Sequence, residues 1–153
     1  MSRYIVESLT DPRAKITAQT WGNVTDIVAP VKQFLQASAL QQLTISPDVL
    51  IAMTGGGVFK TSTTILTVAD LDTGSAFVFG RDYYVYCCDP GDGISDEVYK
   101  ISLNSTYPAG YTAATSRKIG GFHYGQVRNS ATIADVSIGI VPRSVWTTFW
   151  RPK

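Results

Sequence analysis

The sequence predicts a mainly β domain, β-sandwich or β-prism-like, with one short helix and an extended N-terminal arm. Strand-like runs recur from Asp48 onward, the strongest being Asp82–Cys88 with aromatic residues on alternate positions. Emphatic turns separate them, notably Thr54-Gly-Gly-Gly57 and Asp89-Pro-Gly-Asp-Gly93. A hydrophobic content of 44% in 153 residues is enough to build the core of a single domain and argues against disorder.

Residues 1–22 lack sustained periodicity and read as a docking arm, with one short strand at Tyr4–Val6. Residues 23–153 form the β-rich domain and end in an aromatic tail. Between Thr25 and Leu43 the pattern turns helical, because Ile27, Val31, Phe34 and Leu35 fall at i, i+4, i+7 and i+8. The stripe weakens at Ser38, so the predicted helix spans 26–39, capped by Thr25 or Asp26, with Pro30 in its first turn. Asp48–Met53 and Gly57–Thr61 follow as strands around the glycine turn, and Thr64–Val68 as a third, rich in β-branched residues. Asp70–Gly74 is loop. Ala76–Phe79 and Asp82–Cys88 are strands, and Glu97–Leu103 is the hairpin partner of the second. Tyr107–Tyr111 is a turn. Arg117–Tyr124 and Val136–Val141 are the last strands, Pro142 ending the latter. Gly120 and Gly121 permit a bulge or a close backbone approach.

Thirteen Lys+Arg against 12 Asp+Glu give a formal charge of +1, which argues against a nucleic-acid binder with its basic face. Charged residues make up only 16%, a composition that suits a protein burying much of itself against neighbours. No apolar run reaches the roughly 18–20 residues of a membrane span. Glu7 stands where a signal peptide needs its apolar centre, so synthesis and assembly in a cytoplasm are expected. On that expectation the acceptor patterns Asn23-Val-Thr25 and Asn104-Ser-Thr106 carry no glycan. The adjacent cysteines Cys87 and Cys88 point to opposite faces of a strand and read as free, buried thiols.

The candidate chemistries are weak. Thr54-Gly-Gly-Gly-Val-Phe-Lys60-Thr61 has Phe59 where a phosphate loop needs glycine before lysine, and reads as a hairpin turn. Asp89, Asp92, Asp96 and Glu97 lack the ligand order of a calcium loop and read as a solvated turn. His123, the single histidine, has no Gly-x-Ser-x-Gly motif to serve, and reads as a hydrogen-bonded packing residue. Arg117 and Lys118 read as strand charges. Tyr83, Tyr84, Tyr86, Tyr107, Tyr111 and Tyr124 could stack on sugars, but core and subunit packing explains the same residues. The expectation is therefore no enzyme, cofactor or metal.

Three further runs carry a resemblance: Ser105-Thr-Tyr-Pro-Ala-Gly-Tyr111, Ser116-Arg-Lys-Ile-Gly-Gly-Phe-His123 and Val141-Pro-Arg-Ser-Val-Trp146. With them, from Thr44 to Lys153, the chain resembles bacteriophage tail-fibre or major-tropism-determinant-like virion proteins. In the longer members this region looks like a β-rich stem followed by a lectin-like display domain. The sequence ends at Trp150-Arg-Pro-Lys153, where that domain would begin, so a module that attaches, trimerises or cements is expected. The resemblance implies a virion structural protein in the tail, baseplate or fibre attachment, working through protein–protein assembly as a homo-trimer. A head decoration or fibre-base protein is the near alternative, and a glycan or receptor-binding module the more distant one. The residues expected at the interface are Trp146, Phe149, Trp150, Tyr107, Tyr111 and His123.

Overall fold

The computed structural model describes residues 27–29, 33–128 and 136–143. Among them ten strands form three antiparallel sheets. The first contains β1 (Ile27–Val28), β4 (Leu50–Ala52) and β5 (Val58–Lys60), in the order β1-β4-β5. The second contains β2 (Leu35–Ala39), β3 (Gln42–Ile45) and β6 (Thr64–Leu66), in the order β2-β3-β6. The largest joins β7 (Arg81–Cys88), β8 (Val98–Ser102), β9 (Ser116–Arg128) and β10 (Val136–Arg143), in the order β10-β9-β7-β8.

The fold is mainly β, as expected, and one buried cluster holds it together. Tyr83, Val85 and Cys87 of β7 face Phe122 and Tyr124 of β9, Tyr99 and Ile101 of β8, and Ile140 of β10. Leu43, Ile45, Ile51, Phe59 and Leu66 meet them from the two smaller sheets. Phe77 plugs the centre, its ring 5.2 Å from Tyr83 and 5.3 Å from Phe122, both edge-on. Such ring pairs add about 0.5–1.5 kcal/mol each beyond the area they bury. Thr61, although polar, is also buried, because its Oγ1 donates to the Ser46 carbonyl (2.7 Å) and accepts from the Val49 amide (3.0 Å).

Two expectations need correction. Leu35–Ala39 is a strand, not the second half of a helix, and the described residues contain no helix of seven or more residues; Val68–Asp70 is a single 3-10 turn. Leu35, Gln36 and Ala37 pair with Ile45, Thr44 and Leu43, and the Ser46 amide donates to the Phe34 carbonyl. The i, i+4 stripe over so short a window fits either structure, and the long-range pairing decides it. Ala76–Phe79 is not a strand either. Its Phe77 side chain is drawn into the core, while the Val78 amide donates to the Tyr83 hydroxyl (2.8 Å) instead of to a neighbouring strand.

Other elements agree. The glycine run turns β4 into β5, β7 pairs with β8, and Cys87 and Cys88 are free and buried. The register steps from Val85↔Gly120 to Tyr86↔Lys118, which leaves Ile119 as an extra residue at the expected bulge. β10 runs one residue past Pro142, which pairs with Phe122; the strand lies at the sheet edge, where proline is tolerated. The arm at 1–22 with its Tyr4–Val6 strand, and the aromatic tail from 144 onward, lie outside the described residues.

Candidate functional site

Strand alternation gives the large sheet a second face. Opposite the core residues, β7 presents Asp82, Tyr84, Tyr86 and Cys88, which pair with His123, Gly121, Lys118 and Ser116 of β9. At one end this face is covered. Tyr86 and Cys88 are fully buried there, and the Tyr86 hydroxyl donates to the Asn104 carbonyl (2.7 Å). The Ser116 hydroxyl likewise donates to the Thr112 carbonyl (2.7 Å), pinning the 103–115 loop to the sheet. Burial pushes the Cys88 thiol up to about 12, Lys100 partly offsetting this, and holds Cys87 well above the ordinary thiol value. Neither is a poised nucleophile.

At the other end the face is more open. His123 Nδ1 lies 2.8 Å from Asp82 Oδ1, both side chains being partly exposed. Two residues along β9, Gly125 leaves room for the imidazole: a Cβ there would sit 2.6 Å from His123 Cδ2. Lys118 Nζ stands 4.5 Å from the Tyr84 ring centroid, and burial lowers its pKa. His123 is thus a hydrogen-bonded surface residue on a face of mixed polarity.

Tyr107 and Tyr111 come together elsewhere. With Asp72, Ser102, Asn104 and Gly110 they line a cavity of about 310 Å³ where the 71–74 and 102–111 loops meet. Asp72 Oδ2 accepts the Ala109 amide at 2.8 Å and joins the two loops, while the Asp72 amide donates to the Ile101 carbonyl at 2.9 Å. Asn104 Oδ1 accepts from both the amide and the hydroxyl of Thr106 (3.0 and 2.7 Å). Burial, with Cys88 nearby, raises the Tyr111 phenol. Asp72 and Asn104 were not foreseen: each reads locally as a turn residue, and only the tertiary fold brings them together. Of the other expected contact residues, Trp146, Phe149 and Trp150 lie outside the described residues.

The acidic turn behaves as turn chemistry. Asp89 accepts the Gly91 amide, Asp92 accepts the Ile94 and Ser95 amides and the Ser95 hydroxyl, and Glu97 accepts the Tyr99 hydroxyl. Of the remaining tyrosines, Tyr83, Tyr86 and Tyr124 are buried and serve packing.

The class this architecture defines is a loop-bearing, mainly β domain of three antiparallel sheets whose candidate contact surfaces are a sheet face and a loop-end cavity. Residues 33–147 match the family described as Mtd second domain, and the chain belongs to that family. It is a tail-fibre, major-tropism-determinant-like phage protein. It is 33% identical over 110 residues to the tail fiber receptor-binding protein of Bordetella phage BPP-1, covering 71% of this chain and 26% of that protein. Among solved structures it is similar to the Major Tropism Determinant P3c variant (TM-score 0.59, 25% identity) and U1 variant (TM-score 0.58, 27% identity). Each comparison covers 74% of this chain and 28% of the other, so the chain spans about a quarter of the length of these relatives.

Proposed function

We propose that this chain is a structural module of a phage tail fibre, part of the virion, that works by assembling with copies of itself and with neighbouring tail proteins. The observation that carries this reading is the family match across residues 33–147, joined to a fold similar to that of the tropism determinants. The proposed assembly is a trimer, since closed symmetry is the rule for homo-oligomers and three-fold symmetry suits a fibre. His123, on the open end of the large sheet, belongs to the contact surface, as do Trp146, Phe149 and Trp150 of the tail. The role is non-enzymatic in this reading. The histidine pairs with a carboxylate on a sheet face, and both thiols are held protonated by burial.

Labelling intact particles with gold-conjugated antibodies raised against the chain tests the location. Gold at the tail is the expected result. Gold distributed over the capsid would transfer the protein to the head-decoration alternative.

A further inference from the structure

We propose that the loop-end cavity is a binding subsite for one neutral hexose or N-acetylhexosamine unit of a surface saccharide. This inference goes beyond the assembly reading and rests on different residues. Its volume of about 310 Å³ lies at the small end of ligand cavities and accommodates one pyranose ring with its substituents. A pyranose has an apolar C–H face and a rim of hydroxyls, so its recognition needs aromatic surface beside fixed donors and acceptors. The cavity supplies both.

Tyr107 and Tyr111 provide the aromatic surface, Tyr107 being 41% exposed and therefore accessible to a ligand. Asn104 is oriented by Thr106 through its side-chain oxygen, which leaves the amide N–H groups to donate to a sugar hydroxyl. Asp72 accepts from the Ala109 amide and, at 3.3 Å, from the Thr73 hydroxyl; a carboxylate offers about four acceptor sites, so capacity remains for a sugar O–H.

The walls are also pre-organised. The Asp72–Ala109 bond ties one loop to the other, and the buried Tyr86 anchors Asn104 through its carbonyl. Binding then involves little additional ordering of the loops. Asp72 is the charged side chain of the lining, and it sets specificity: a neutral sugar is accepted, whereas a carboxylate-bearing one is repelled.

The test is a ¹H–¹⁵N NMR titration of the full chain with N-acetylglucosamine, methyl glucoside and methyl galactoside, and with glucuronate as the charged counterpart. The expected result is saturable shifts at the amides of Asp72, Asn104, Ala109 and Tyr111 for at least one neutral sugar, with a Kd in the millimolar range and weaker binding of glucuronate. Tyr107→Ala should weaken the neutral sugar about tenfold without lowering the unfolding temperature, because this ring is partly exposed. Asp72→Asn keeps an acceptor for Ala109 and should narrow the gap between the neutral sugar and glucuronate, an effect a merely structural role would not produce. Absence of localised shifts with every sugar overturns the proposal. So does binding unchanged by both substitutions. A third contrary result is an oligomer that dissociates on Tyr107→Ala and binds no sugar, which would make the cavity a subunit contact.

Discussion

His123 Nδ1 and Asp82 Oδ1 are 2.8 Å apart across neighbouring strands, and Gly125 provides the space in which the imidazole lies. The bond is partly exposed, so it contributes little to stability. Gly125→Ala places a methyl group 2.6 Å from His123 Cδ2 and forces the ring, a movable group, to turn away. The expected cost is small, about 0.2–1 kcal/mol in chemical denaturation, the range for such an exposed pair. Asp82→Asn, which keeps an acceptor, should cost less than Gly125→Ala.

Gly55 gives the opposite case. A Cβ there meets the backbone oxygen of Ala114 at 2.7 Å, the atom that accepts the Gly55 amide at 3.0 Å. Backbone cannot turn aside as a side chain does. Gly55→Ala should cost about 2–3 kcal/mol, within the range of overpacked sites, and should free the 112–115 loop to faster amide exchange. A cost no larger than that of Gly125→Ala would contradict the contact.

Thr61→Val removes a buried hydroxyl at nearly constant shape and leaves the buried Val49 amide, and the partly buried Ser46 carbonyl, without this partner. At about 1–3 kcal/mol for an unsatisfied buried group, and less for the carbonyl that water can reach, a loss of roughly 1–3 kcal/mol is expected in denaturant unfolding. Thr61→Ser, which retains the hydroxyl, should recover most of it.

The thiols predict an alkaline limit. Cys88 is raised from 9.0 to about 12 by burial, and Cys87 is also raised by burial, so the folded state keeps protons that the unfolded chain releases. The unfolded state therefore binds fewer protons above pH 9, and stability falls as pH rises from there toward 12. Replacing both cysteines by alanine should make that decline shallower, as measured by denaturation midpoints across the alkaline range, while Tyr86 and Tyr99, also raised by burial, carry the remainder. In the native protein both thiols should react with a disulfide reagent far more slowly than in denaturant.

Local chemistry made much of the fold legible. The β4–β5 and β7–β8 connections are announced by glycine and proline turns, and the Gly120-Gly121 pair marks the bulge beside Ile119. What stayed hidden depends on distant partners. Phe34 and Leu35 suit a helical stripe until Ser46 and Ile45 are there to pair with them. Phe77 looks like a strand residue until the Tyr83 and Phe122 rings close around it. The candidate site divided in the same way. Tyr107 and Tyr111 stand out beside a Pro-Ala-Gly turn, but Asp72 belongs to a loop 37 residues from Ala109, and no local pattern joins them.

The central claim is that this domain assembles with copies of itself as part of a fibre. Size-exclusion chromatography coupled to light scattering on the purified chain tests it most directly. A concentration-independent mass three times that of one chain is the result predicted. A stable monomer at all concentrations would contradict the self-assembly on which the account rests.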